Sequence, residues 1–213
     1  MLHYKSDYPN QVHQLNVSIS KNYYLLKDGT IKYQAKKFDI NWKNYSKTNK
    51  IHLVNFLVRD HYSNCFYAEL HEIDKMPSVK DFLFNAWRKK EHFEFRGMPR
   101  VLILSRKVLA DEPDIENATS NLEKFDIELA RNGFATGISA LKNWESWMNY
   151  YTGSYNCKKL IDFQDNIERF CRDYNTRKID KPASSLEKWV TNEPRGVLIN
   201  DKEEFDELFV AKS

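Results

Sequence analysis

The stretch Gly97-Met98-Pro99-Arg100-Val101-Leu102-Ile103-Leu104-Ser105-Arg106-Lys107 has the form of a glycine-proline turn feeding a short apolar strand. Such a strand is buried along its length, so its end is where a chain can present a chemical group. At that end stand a hydroxyl, a guanidinium and an ammonium, with no carboxylate. Holding Mg²⁺, a hard, oxygen-seeking cation, requires carboxylates converging from separate elements. Ser105 offers a neutral hydroxyl instead, and Arg106 adds a fixed positive charge that opposes cation binding. The next acids along the chain, Asp111 and Asp114, lie in a polar loop that no sheet fixes. No Gly-x-Ser-x-Gly elbow surrounds Ser105, so a hydrolase nucleophile is not indicated. The 6 histidines and 3 cysteines form no zinc-ligand pattern, and there is no Gly-rich phosphate loop.

The elements that would position this strand end can be read from periodicity. Val12, Leu15, Val17 and Ile19 suggest a short extended segment within a polar, Tyr-rich amino-terminal region. Strands are expected at 31–42, at 51–59 and at 65–70, the last two forming a hairpin around Asp60-His61-Tyr62-Ser63-Asn64. Asp60 is expected to shape that turn and is assigned no catalysis. Val79, Phe82, Leu83, Ala86 and Trp87 recur at helical spacing behind Ser78, a good N-cap. After the strand at 101–104, helices are expected at 119–132, 139–151, 158–174 and 201–209. Short extended pieces are expected at 134–136 and 197–199. Three strands, then alternating helices and strands, point to a mixed sheet covered by helices.

Four local signatures in this order resemble the catalytic core of the retroviral-type integrase and DDE transposase family. Phe38-Asp39-Ile40-Asn41-Trp42 is similar to that family's first-strand aspartate with its apolar flanks. Leu57-Val58-Arg59-Asp60-His61-Tyr62-Ser63, running into Tyr67-Ala68-Glu69, is similar to its second strand, turn and third strand. Gly97-Met98-Pro99 and the strand after it stand where the family's second catalytic acid ends a strand. Tyr174-Asn175-Thr176-Arg177, then Pro182 and Trp189, resemble the segment after its last core helix. The resemblance implies a ribonuclease H-like α/β fold: a mixed five-stranded sheet flanked by helices over residues 31–178. Residues 1–30 then form an amino-terminal extension and 179–213 a short carboxyl-terminal one.

The same resemblance places Asp39 and Glu145 at two of the family's three catalytic acid positions, with Ser105 at a degenerate second position. Phosphodiester cleavage and strand transfer in the family use two divalent metals held by those acids. With one acid missing, Asp39 and Glu145 would hold a metal only weakly. The expectation is an integrase-core-like domain of mobile-element origin, impaired in catalysis, acting through DNA or a transposition-related protein partner, with a homo-oligomer also open. No cofactor is expected, or Mg²⁺ or Mn²⁺ if activity survives. Two alternatives stay open: an active metal-dependent strand transferase or nuclease using Asp39 and Glu145, and a structural protein-interaction domain. The aromatic residues at 144, 147, 150 and 151 could stack on bases, but their helical spacing favours packing.

Composition sets outer bounds. The 213 residues suffice for one sizeable core, and an aromatic content of 14% argues against disorder. A formal charge of +3 does not by itself indicate nucleic acid. Three widely spaced cysteines fit a reducing compartment. The first residues lack the apolar core of a signal peptide, and no run is long enough to span a bilayer, so a cytoplasmic protein without membrane contact is expected.

Overall fold

The computed structural model describes residues 6–130, 138–154, 158–178, 182–192 and 194–211. In chain order, its strands are β1 (Val12–Leu25), β2 (Ile31–Tyr33), β3 (Ile51–Asp60), β4 (Phe66–Glu72), β5 (Val101–Leu104) and β6 (Asp126–Leu129). They form a mixed sheet in the order β4-β3-β1-β5-β6, with β2 pairing onto β1. β1 runs antiparallel to β3 and parallel to β5, and β6 continues the parallel side. The hairpin β3–β4 therefore stands on one flank of β1 and the crossover strands stand on the other.

The first strand of the sheet is not where the sequence suggests. It lies at Val12–Leu25, inside the segment read as an extension, and the strand expected at 31–42 shrinks to Ile31–Tyr33. The physical reason is that β1 is central, so both of its faces are covered and its polar residues are buried with the apolar ones. His13 and Ser20 are 0% exposed, and Gln14, Asn16 and Asn22 are also buried. Each such group must find a partner inside. Gln14 accepts a hydrogen bond from Arg59 Nε at 3.0 Å. His13 accepts at Nδ1 from Trp87 Nε1 (3.0 Å) and donates from Nε2 to Asn10 Oδ1 (2.9 Å). Burial pushes that imidazole down to about 3, so it sits neutral in the core.

The β3–β4 turn forms as expected around Asp60. Its buried carboxylate accepts from the backbone N–H of Asn10 (2.9 Å) and from Ser63, at both N–H (2.7 Å) and Oγ (2.6 Å). Burial outweighs these bonds and raises the Asp60 carboxyl to about 6. Asn64 takes φ +63, a conformation that Asn tolerates better than most residues.

The helices are α1 (Val79–Trp87), α2 (Arg106–Asp111), α3 (Asn117–Asn121), α4 (Ile138–Ser154), α5 (Leu160–Asp165), α6 (Ile167–Asn175), α7 (Ser185–Thr191) and α8 (Lys202–Glu207). α1 begins as its sequence indicates, with Ser78 Oγ accepting from Asp81 N at 3.0 Å. The helix expected at 119–132 is instead the short α3 followed by β6. Lys124, at φ +67, breaks the helical path, and Phe125, Ile127 and Leu129 alternate along the strand. The helix expected at 158–174 is split at Asn166, whose Nδ2 donates to Asp162 O (2.9 Å). The piece expected at 134–136 lies outside the described residues. The piece at 197–199 makes only isolated bridges, to Met98 and Arg88.

α6 gives Asn175, singled out in the sequence, a structural task. Asn175 is 1% exposed and clasps the edge strand β4. Its Oδ1 accepts from Phe66 N (3.1 Å), and its Nδ2 donates to Phe66 O (2.8 Å) and Cys171 O (2.7 Å). A side-chain amide thus supplies the two backbone bonds that an outer strand would supply. Trp144, Phe163 and Tyr174 pack around the same point, tying α4, α5 and α6 to the hairpin. Among the described residues, no helix is long and apolar enough to cross a membrane.

Candidate functional site

Parallel strands present their carboxyl-terminal ends together, and ligands of open α/β sheets gather there. β1 and β5 are in register at Val12/Val101, His13/Leu102 and Gln14/Ile103. Continuing this register by two residues leads to Asn16, within β1, and to Ser105, just past the end of β5. Each is the first polar position at the end of the shared parallel segment. Ser105 closes β5 and opens α2: its Oγ accepts from Val108 N at 3.3 Å, a helix N-cap. The hydroxyl where the sequence leads one to look for an acid therefore has a structural task.

Asn16 begins a polar row on β1. Its Oδ1 accepts from Ser18 Oγ at 2.8 Å. Ser18 lies opposite Asn55 of β3, so the two share a face of the sheet. Over this face lies α4 with Glu145. One carboxylate oxygen, Oε1, accepts from both Ser20 Oγ (2.8 Å) and Asn55 Nδ2 (3.0 Å). The Glu145 backbone carbonyl accepts from Tyr23 OH at 2.8 Å. Helix α4 is thus anchored to β1 on both sides of this residue. Burial raises the Glu145 carboxyl above its ordinary value, opposed by its two hydrogen-bond donors and, more weakly, by Lys37. Asn55 is fully buried, and among the described residues its own Oδ1 has no donor.

The sequence-predicted site residues fall out unequally. Ser105 directly follows the parallel strand β5, whereas Glu145 lies on α4 over Ser20 of β1 and Asn55 of β3. Asp39 is exposed and lies on no strand, in the coil after β2, because the first strand is β1. Among the described residues its carboxylate makes no hydrogen bond or ion pair; only its backbone carbonyl accepts, from Asn44 Nδ2 (3.2 Å). Its loop still reaches the rim, since Trp42 lies under the Lys107 ammonium, 5.1 Å from the ring centroid. The residue that the sequence reading missed is Asn16. The available signal was the alternation Leu15-Asn16-Val17-Ser18-Ile19, which marks a strand with Asn near its centre.

The donor set does not suit Mg²⁺. Asn16 gives an amide, Ser105 a capping hydroxyl, and Glu145 an oxygen already taken by two donors. Among the described residues, no second and third carboxylate converge with Glu145, as a pair of divalent ions would require. Asp111 and Asp114 do not substitute. Asp111 pairs with Lys107 at 2.6 Å and Asp114 pairs with Lys80. Among the described residues no group of His, Cys, Asp and Glu is arranged to hold a metal ion.

Beside Glu145, α4 carries an outward aromatic stack. Trp144 is fully buried, as packing predicts, but Trp147 and Tyr150 stack on each other at 5.3 Å between centroids and 23° between planes. The Arg177 guanidinium lies 4.1 Å from the Trp147 centroid, and Tyr150 is 61% exposed. The side chain of Tyr151 lies outside the described residues.

Sheet order, the long first strand, the hairpin and the helix carrying Glu145 together define the ribonuclease H-like fold of integrase catalytic cores. Among solved structures, the chain is similar to the HTLV-2 integrase catalytic core domain, solved in complex with magnesium in a trimeric form. The two share 13% identity and a TM-score of 0.51, over 88% of this chain and 99% of that one. No family model matches the sequence, and no curated protein matches it.

Proposed function

We propose that this chain is an integrase-like or transposase-like core that has lost metal-dependent phosphodiester chemistry and acts by binding nucleic acid, as a DNA-associated accessory domain. The observation that carries this reading is the neutral character of the positions just past the paired stretch of β1 and β5. Asn16 and Ser105 follow that stretch in register, and the one carboxylate on the facing helix, Glu145, is already held by Ser20 of β1 and Asn55 of β3. Arg106, the positive group next to Ser105, repels a cation but attracts a phosphate, whereas Lys107 is paired with Asp111. The Arg177–Trp147–Tyr150 stack supports the binding half of the reading. A flat ring with a guanidinium on its far side is a stacking platform for an unpaired base. A transposition-related protein, or further copies of the chain, would share the DNA in such a role.

The experiment is binding of labelled single-stranded and duplex DNA across a salt series, with cleavage followed in Mg²⁺ and Mn²⁺. Affinity falling steeply with salt, with the DNA left intact, is the expected outcome. Cleavage that disappears in Glu145→Gln would show that the site still works as an enzyme. Absence of binding at low ionic strength would leave only the protein-interaction alternative.

A further inference from the structure

A second site lies at the other end of the parallel strands, away from Asn16 and Ser105. It is a groove of about 990 Å³ between α6, the 89–96 loop and the 190–198 segment. Its floor is the turn that precedes β1, where Asn10 Nδ2 donates to Arg96 O at 3.1 Å. One wall carries more cations than anions. Lys89, Arg96, Arg169 and Arg195 line it and form no ion pair with a carboxylate among the described residues, Arg169 touching His92 (3.4 Å) and Arg195 lying over the Tyr8 ring (5.3 Å), while Glu91 and Asp173 share the lining. Arg172, also in the lining, is neutralised by Glu94, which it grips with Nε and Nη2. The other wall is apolar and open to solvent, with Val190 52% and Leu198 59% exposed.

The apolar wall is built rather than incidental. Met98 N donates to Val197 O at 2.9 Å, and Ile199 bridges to Arg88, so the backbone is pinned on both sides of Leu198. Gly196 permits the approach. A Cβ there would lie 2.5 Å from Met98 O and 2.6 Å from Asn10 Nδ2. A preformed groove spares a ligand the cost of ordering it.

We propose that this groove docks a segment of a partner protein in which acidic residues alternate with large apolar ones. Carboxylates would meet the unpaired cations, and the apolar side chains would cover Val190 and Leu198. Nucleic acid fits less well: Trp189 and Phe93 turn inward, 1% and 3% exposed, so no large ring is offered to a base. A second copy fits less well too, because a two-fold contact would set this cationic wall against itself. The proposal does not depend on DNA binding near α4.

The test uses the full chain and fluorescence anisotropy with three labelled probes: a short peptide alternating Glu and Asp with Leu and Phe, an oligo-glutamate of equal charge, and a single-stranded oligonucleotide. The alternating peptide is expected to bind at least about tenfold more tightly than oligo-glutamate. Arg96→Glu combined with Arg169→Glu should abolish that binding while leaving oligonucleotide binding intact. Leu198→Ser, at an exposed position and so safe for folding, should weaken the peptide alone about tenfold. Equal affinity for the two peptides, or full affinity in Leu198→Ser, would overturn the proposal. An oligonucleotide that loses its binding in the charge-reversed protein would instead assign the groove to nucleic acid and overturn it as well.

Discussion

If Asn16 and Ser105 mark a vacated acid site, putting the acids back should recreate one. Continuing the β1/β5 register puts the carboxylates of Asn16→Asp and Ser105→Asp at matching positions of the two neighbouring chain segments. Ser105→Asp keeps the α2 N-cap, because Asp caps as well as Ser, so a change in stability will not come from there. Asn16→Asp keeps the volume and the oxygen that accepts from Ser18. Neighbouring strands lie about 4.8 Å apart, so the new charges face each other at roughly 5 Å. At an effective dielectric constant of about 20, their repulsion is about 3 kcal/mol. For a chain of this size that lowers the melting temperature by roughly 6–12 °C. Melts in EDTA should show this loss, and millimolar Mg²⁺ or Mn²⁺ should recover most of it. The unmodified protein should not respond to either ion. A double variant that melts like the parent in EDTA and ignores Mg²⁺ would refute the claim that these positions converge.

Other consequences are independent of that one. Glu145→Gln keeps an oxygen for both Ser20 and Asn55 and removes a buried charge. Because the folded carboxyl is raised, the parent loses stability as pH climbs from the ordinary Glu range through the folded value, while the variant does not. The variant's advantage in melting temperature should therefore grow between pH 4 and pH 7, and a constant difference would contradict the burial argument. Asn175→Ala strands the buried N–H and C=O of Phe66, at a cost of about 2–4 kcal/mol that denaturant melts would register. Tyr150→Ala should weaken single-stranded DNA by about 1–3 kcal/mol with little effect on stability, since the ring is exposed. Unchanged affinity there would remove α4 from the binding surface.

Much of the fold could be read in the sequence because local signals agree with the tertiary environment. The hairpin, α1 and β5 each carry an apolar pattern with fitting turn or cap residues, and each forms where expected. β1 could not be read in the same way. Its polar residues are buried, and their partners come from Arg59, Trp87 and Glu145, far away in the chain. Hydropathy reads such a strand as surface, which leaves Asp39 as the first acid with apolar flanks. β6 failed for a different reason. Leu122, Phe125 and Leu129 satisfy helical spacing, but parallel pairing with β5 decides the conformation. Sequence order and the family resemblance single out Ser105 and Glu145. They do not single out Asn16, because only the β1/β5 register, continued two residues, relates it to Ser105.

The most direct measurement is Mn²⁺ binding to the unmodified protein, followed by the electron paramagnetic resonance signal of the free ion. One satisfied carboxylate among neutral donors should leave that signal undiminished up to millimolar Mn²⁺, and Glu145→Gln should behave identically. Saturable loss of the free-ion signal in the parent, absent in Glu145→Gln, would mean that the Glu145 carboxylate still holds a metal, contrary to this account.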